Sequence, residues 1–395
     1  MVAPHFPLRP NLGVADLQIR LDHLTEEKWI EMRKSVITTA ALAAIGLLAL
    51  SGCSSRTDAT TDPSAAAGFA ADSVIGIALP SKTSENWVLA GKLFEDGLAE
   101  AGFKGDVQYA GASTTVKDQQ DQISAMVTNG AKVIIIGAAD GGQLATQAKA
   151  AHDAGAIVIA YDRLILNTAD VDYYVAYDNF KVGQLQGQAL LDGLAANKPE
   201  GPYNVELFSG SSDDANSAVF FGGAMDVLQP KIDDGTLVVA SGQTDIKQTA
   251  TAGWKAENAQ SRTDALLTST YGTLSLDGVL SPNDTLARAI LTSVESQGKP
   301  LPVVTGQDSE VESVKSIMAG KQYSTINKDT RVLVAKAIDM AKVLQTGKTP
   351  EVNDTKSYDN GVKIVPAFLL PPVIVTKANA AEAYANDPVL SLLTK

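Results

Sequence analysis

The stretch IVIAYDRLI, residues 157–165, decides how the chain is read. Residues 157–161 have the near-continuous apolar character of a strand buried on both faces. Asp162 and Arg163 follow at once, with no turn residue between the apolar run and the charges. In an open parallel sheet covered by helices, ligands bind beyond the carboxyl ends of the strands. A charged pair delivered to that position is therefore expected to face a crevice.

The same pattern extends in both directions. Upstream lie SVIGIAL from Ser73, the helical stretch SENWVLAGKLFEDGLAEAG, the strand AKVIIIG and a helix through His152; VDYYVAY follows downstream as another strand. Past Asn179 come YNVELFS, a helix from 216 to about 228, TLVVASG, a helix over 256–267, DGVLSP, a helix from 285 to about 297, PVVTGQD, another helix and YSTIN. Apolar runs alternating with amphipathic helices predict an α/β fold with parallel strands covered on both faces. The strands are too many for one comfortable sheet, so two doubly wound, Rossmann-like lobes are expected.

Several apolar runs end on polar residues as residues 157–161 do. Asn283-Asp284 follows DGVLS, Asp308 follows PVVTGQ and Lys328 follows YSTIN. Any one of these could be a helix N-cap, and for Asp284 that alternative stays open. Together with Asp162 and Arg163, four such positions in register are expected to project into one cleft. Trp29 lies in the leader, which leaves Trp87 and Trp254, one in each expected lobe and each at the opening of a helix. They are expected to line the cleft rather than fill a core. Flat apolar faces suit the axial C–H patches of a pyranose, and its hydroxyls both donate and accept hydrogen bonds, most strongly with charged partners.

Composition removes other classes. The chain has 395 residues with 32 Lys+Arg against 45 Asp+Glu, a net charge of -13, and no basic run. A nucleic-acid partner is therefore not expected. His5 and His23 lie in the leader, so His152, expected as a partly exposed helical residue, is the one histidine beyond it. That leaves no triad and no zinc site of the usual ligands. Phosphate loops, HExxH and calcium loops are absent from the sequence. No catalytic residue, no cofactor and no metal are expected.

The single cysteine, Cys53, closes an apolar run that begins after Arg33 and Lys34. A basic start, an apolar stretch too short to span a bilayer comfortably and small residues at the end describe an export signal. LSGC, residues 50–53, resembles the bacterial lipobox, so residues 32–52 are expected to be a lipoprotein signal peptide with Cys53 lipidated. The product would be exported and held by lipid at the outer face of the cytoplasmic membrane. Residues 1–31 are expected to be an upstream extension from a misassigned start, with Met32 the natural one. Residues 53–72, rich in Ser, Thr, Ala and Asp, are expected to be a flexible tether.

From Ser73 to about Ala381 the chain resembles the periplasmic sugar-binding proteins of ABC transporters, in the ribose- and xylose-binding branch. It is most similar there to receptors that accept several monosaccharides. The segments GIALPSKTSENW, IAYDRLI, DNFKVGQLQ, NVELFSGSSDDAN, VLSPND, LPVVTGQDSEVESVKSIMAGKQYSTINKDTR and PEVNDTKSYDNGVKIVPAFLL carry the likeness. It implies the type I periplasmic-binding-protein fold, two lobes joined by a three-stranded hinge, with crossings near Asp178-Asn179, Asn327-Lys328 and Val365. The N-terminal lobe would then comprise 73–178 plus 328–365, and the C-terminal lobe 179–327 plus 366–395. It implies that Trp87 and Trp254 stack on the sugar and that Asp162 and Arg163 grip its hydroxyls and ring oxygen. Asn216, Asn283, Asp308 and Lys328 would complete the clamp, with Lys82 and Asn86 beside Trp87. Two positions depart from the family's pattern: Asn86 stands where close relatives have arginine, and Ala215 replaces an amide in Asp213-Asp214-Ala215-Asn216.

The resemblance thus implies a lipoprotein receptor, expected to be a monomer, that captures an aldose such as xylose, glucose, galactose or arabinose and delivers it to the permease. A receptor for chemotaxis or signalling is an alternative. The ligand domain of a transcription repressor would share the lobes, but export and the lack of a basic helix-turn-helix argue against it. A carbohydrate-acting enzyme would need Asp162 and Asp308 as its carboxylate pair. Arg163 beside Asp162 is expected to keep that carboxylate ionised, which suits hydroxyl binding and spoils a general acid.

Overall fold

The computed structural model describes residues 68–395 apart from Thr83 and Thr114. The expected upstream extension, the signal peptide, the lipidated Cys53 and the tether as far as residue 67 lie outside the described residues.

The first part of the chain runs β1 (Val74–Leu79), α1 (Glu85–Glu100), β2 (Lys104–Tyr109), α2 (Thr115–Thr128), β3 (Val133–Ile136), α3 (Ala145–Asp153), β4 (Ile157–Tyr161) and β5 (Tyr173–Tyr177). The second runs α4 (Asn179–Asn197), β6 (Tyr203–Leu207), α5 (Ala215–Asp233), β7 (Leu237–Val238), α6 (Ile246–Thr249), α7 (Ala256–Ser269), β8 (Gly278–Leu280), α8 (Asp284–Ser296), β9 (Val303–Val304), α9 (Val311–Met318) and β10 (Ser324–Asn327). The chain closes with α10 (Thr330–Gln345), β11 (Ala367–Leu370), β12 (Val373–Thr376) and α11 (Ala380–Ala383).

Two sheets result. In the first lobe the order is β2-β1-β3-β4-β5-β11, and every neighbouring pair is parallel. The second lobe has the parallel order β7-β6-β8-β9. The antiparallel pair β10-β12 continues it, since Tyr323 N–H donates to the Val304 carbonyl at 3.1 Å and Asp308 N–H to the Ile326 carbonyl at 2.9 Å.

Strand alternation explains the double winding. Ile75, Ile77 and Leu79 of β1 join a core beneath α1 and α10 with Phe94, Leu98, Leu333 and Ala337. Ala78 of the same strand faces the opposite core with Ile123, Met126, Ala148 and Ala151 from α2 and α3. Successive side chains of a strand point to opposite faces, so a strand flanked by helices on both sides must be apolar throughout.

Three expectations are corrected. First, β2 and α2 were not foreseen. KGDVQY is an edge strand with no fully buried residue, so its polar sequence lacks the apolar run that marks the central strands. Second, the passage back to the second lobe falls after Leu370 instead of near Val365, because β11 pairs with β5 from Ala367↔Tyr174 to Leu370↔Tyr177. Third, the described end of the expected tether is docked. Phe69 N–H donates to the Gln345 carbonyl at 3.1 Å, and its ring meets Phe103 at 6.3 Å.

Candidate functional site

The carboxyl ends of the strands from both lobes meet at a cavity of about 90 Å³. A single water needs only about 10–15 Å³ of such space, so the cavity has the scale of a small solute and not of a polymer. Its lining includes Asn86, Trp87, Asp162, Arg163, Asn216, Trp254, Asn283, Asp308 and Lys328. The cleft candidates from the sequence are therefore brought to one place, except Lys82 and Asp284. Lys82 is exposed, with its ammonium 4.4 Å from the centre of the Tyr109 ring, and it is not part of this lining.

Asp162 and Arg163 are aimed by the backbone. Asp162 has φ of 60°, a left-handed conformation that Asp tolerates better than most residues. Its N–H continues the ladder to the Val175 carbonyl at 2.9 Å, and its own carbonyl accepts from Tyr174 Oη at 2.7 Å and Asn216 Nδ2 at 2.8 Å. These bonds fix the main chain and leave the side chain free to enter the cavity. Among the described residues, no donor is hydrogen-bonded to the Asp162 carboxylate. Burial pushes its pKa up, and Lys328 and Arg163 pull the other way without cancelling that effect. Arg163 thus favours the ionised form of Asp162, as expected, but burial outweighs it, and the two side chains are not an ion pair. Arg163 Nε pairs instead with Asp214 Oδ2 of the other lobe at 2.9 Å.

Asp214 is the main residue that the sequence pattern did not single out. It is 5% exposed, caps α5 by accepting from Asn216 N–H at 2.9 Å, and accepts from Trp254 Nε1 at 3.2 Å. The signal available was an Asp directly before a helix, the usual N-cap pattern; its partner in the other lobe left no local trace. Phe220 also lines the cavity, one turn beyond Asn216 on the same helix face.

On the other side, Lys328 Nζ pairs with Asp308 Oδ1 at 3.0 Å and sits 5.2 Å from the Phe220 ring centre. Burial alone would lower the Lys328 pKa, but Asp308 and Asp162 outweigh it and leave it above its usual value. Asp308 has φ of 98°, so a second cleft carboxylate is carried on a left-handed residue. Such strain is found preferentially where function needs a fixed side chain. Asn283 caps α8, accepting from Leu286 N–H at 2.9 Å. The cap is thus Asn283 and not Asp284, which is the first helical residue, wholly buried and outside the cavity lining.

Each indole rests on a glycine at the end of a strand. A Cβ on Gly137, after β3, would lie 2.8 Å from Trp87 Cζ3, and one on Gly210, after β6, would lie 2.2 Å from Trp254 Cζ2. Trp87 is 9% exposed and belongs to the first lobe's core while also lining the cavity, so core and cleft are both true of it. Its ring packs edge-on to Tyr161 at 6.2 Å, and the Arg163 guanidinium lies 5.4 Å from its centre. Trp254, at φ of 55°, is only partly buried.

A larger groove of about 800 Å³ is lined by Leu164, Leu166, Phe180, Ala218, Tyr358 and Leu369, among others. It has neither indole and none of Asp162, Asp308 and Lys328. The smaller cavity is where charge, aromatic faces and strained backbone converge. Among the described residues, no group of three or more His, Cys, Asp or Glu side chains is placed to hold a metal ion.

A fold of two such lobes, with paired charges and indoles at their junction, defines a two-lobed solute receptor. The chain belongs to the periplasmic binding protein family: residues 75–349 match the model of the periplasmic binding protein domain. It is similar to the multiple sugar-binding periplasmic receptor ChvE of Rhizobium radiobacter, at 48% identity over 88% of this chain and 95% of the relative. The multiple sugar-binding periplasmic protein SbpA of Azospirillum brasilense is 44% identical over 88% of this chain and 95% of its own. Among solved structures, an ABC transporter solute-binding protein from Clostridium phytofermentans with bound β-D-glucose superposes with a TM-score of 0.77 at 40% identity. That match covers 82% of this chain and all of the other.

Proposed function

We propose that this protein is the sugar receptor of an ABC transporter, closing its two lobes around one neutral monosaccharide and presenting it to a membrane permease. The observation that carries the proposal is the Asp162 carboxylate, which enters the shared cavity without a hydrogen-bonded donor among the described residues while the neighbouring charges are already matched. Arg163 is paired with Asp214 and Lys328 with Asp308. An anionic ligand would find no unmatched cation there. A neutral polyol supplies hydroxyl donors to Asp162 and accepts from the Arg163 and Lys328 hydrogens not used in the pairs.

Trp87 and Trp254 would cover the ring from the two lobes, and Asn216, Asn283 and Asn86 would supply amide contacts at its edge. All three amides are already partly committed, since Asn216 donates to the Asp162 carbonyl, Asn283 caps α8 and Asn86 donates to the Asp308 carbonyl. No bond of the sugar is made or broken in this scheme. Binding favours the closed form because the ligand touches both lobes. Aldohexoses and aldopentoses are the favoured substrates, glucose first, supported by the similarity to relatives whose names specify multiple sugars and to a structure holding β-D-glucose.

Export and a lipid anchor at Cys53 belong to the same proposal and rest on the sequence around LSGC. Cys53→Ser is expected to leave the protein without lipid label. Calorimetric titration of the purified protein with xylose, glucose, galactose and arabinose tests the binding function. One-to-one heat with at least one of them is expected, and none with any of the four would refute it.

A further inference from the structure

The mouth of the cleft carries two hydrogen bonds that join the lobes through residues far apart in sequence. Val311 N–H, at the first turn of α9, donates to Glu85 Oε2 at 3.1 Å across 226 residues. Asn86 Nδ2 donates to the Asp308 carbonyl at 3.2 Å across 222 residues. Glu85 and Asn86 open α1 in the first lobe, and Asp308 and Val311 flank the start of α9 in the second.

The second lobe is built to receive this contact. A helix leaves its first amides without intrahelical partners, and a side chain at the N-cap normally accepts from one of them. The N-cap of α9 is Glu310, and its side chain makes no cap bond. It is turned inward instead, 2.6 Å from Arg288 Nη2 and accepting from Thr285 Oγ1 at 2.8 Å. The cap is supplied from the other lobe, by a carboxylate whose charge also suits the positive end of the helix. The residues between, Asp308 and Ser309, both have left-handed φ, at 98° and 54°. That turn sends the Asp308 carbonyl to Asn86 while its carboxylate pairs with Lys328.

We propose that Glu85 and Asn86 form an interlobe latch, in which α1 of the first lobe caps α9 of the second only when the cleft is closed. The latch holds the receptor shut and slows ligand escape. Glu85 is outside the cavity lining and exposed, so it acts on affinity through closure as a positioning residue. Asn86 adds to it from the cavity rim. Trp87 is the next residue, so engaging the latch also seats the first indole. In the open form the α9 amide would return to water, which is why an exposed contact of this kind has a modest effect and can be undone on each cycle.

The latch rests on the sugar-receptor proposal for its effect on a ligand, but not for its effect on closure. Glu85→Ala and Glu85→Gln can therefore be studied in two ways. By stopped-flow with glucose, Glu85→Ala is expected to raise the dissociation rate about 2–5-fold, the range of one charge at a helix terminus, with the association rate unchanged. Glu85→Gln, which keeps an acceptor oxygen, should recover part of the loss. By small-angle scattering without sugar, Glu85→Ala should give a larger radius of gyration than the unsubstituted protein. Unchanged dissociation and unchanged radius overturn the latch. If the unsubstituted protein binds no aldose, the receptor function fails, and scattering alone then decides the latch: an increase supports it and no change overturns it.

Discussion

Replacing Asp162 by Asn isolates the group on which ligand recognition is proposed to depend. Asn tolerates the left-handed φ of 60° as well as Asp does, so the backbone bonds from Val175, Tyr174 and Asn216 should persist. No protein donor is lost, because none of the described residues bonds to the carboxylate. The free protein should therefore keep its melting temperature or gain slightly, since a partly desolvated charge is removed. Sugar affinity behaves differently. A hydrogen bond to a charged group contributes about 1.5–3 kcal/mol, so the dissociation constant should rise by about 10–150-fold.

The pH dependence sharpens the same test. Burial raises the Asp162 pKa above its ordinary value of 3.8, and sugar hydroxyls donate to its ionised form. Affinity should accordingly weaken as pH falls from neutrality, beginning above the pH at which an ordinary carboxyl would titrate. In Asp162→Asn that portion of the profile should be flat. Calorimetry across pH reads both quantities. An unchanged dissociation constant at neutral pH, or a variant that loses stability and affinity together, would refute the argument.

Other expectations separate binding from folding. Trp254→Ala removes a partly exposed indole and should cost about tenfold or more in affinity from stacking and covered surface, with little change in the melt; unchanged titrations would contradict it. Trp87→Ala should lose affinity and also about 3–5 kcal/mol of stability, because the same ring fills the first lobe's core. Denaturant unfolding measures the difference between the two. Asp284 is raised well above 3.8 by burial, Glu310 and Asp308, against its bonds from Gln322 and Thr325. The folded protein holds that proton more tightly than the unfolded chain, so this stability is present below 3.8 and is lost as pH rises through the folded value. Asp284→Asn should flatten that part of the melting-temperature profile above 3.8, and an identical slope would count against the assignment.

The central strands were legible because burial on both faces forces continuous apolar runs, as in residues 157–161 and 133–136. The polar residues after those runs were legible for the same reason: where the run stops, the chain reaches the crevice. Edge strand β2 was not, since an exposed strand is free to be polar. Nor were the pairings across the cleft. Nothing local links Arg163 to Asp214 or Glu85 to Val311, because those contacts depend on how two separately built lobes approach. Gly137 and Gly210 could have been read as floors for the indoles, being the glycines that end AKVIIIG and NVELFSG; their meaning becomes plain only with the rings above them. Lys82 was misplaced by its nearness to Trp87, although it precedes α1 and turns to Tyr109.

The central claim about the molecule is that one small solute is held by side chains from both lobes at once. A crystal structure of the protein soaked or grown with glucose measures this directly. A single pyranose is expected between the Trp87 and Trp254 indoles, with hydroxyls hydrogen-bonded to the Asp162 carboxylate. A sugar bound to one lobe alone, or lodged in the groove beside Phe180 and Tyr358 with Asp162 untouched, would contradict it.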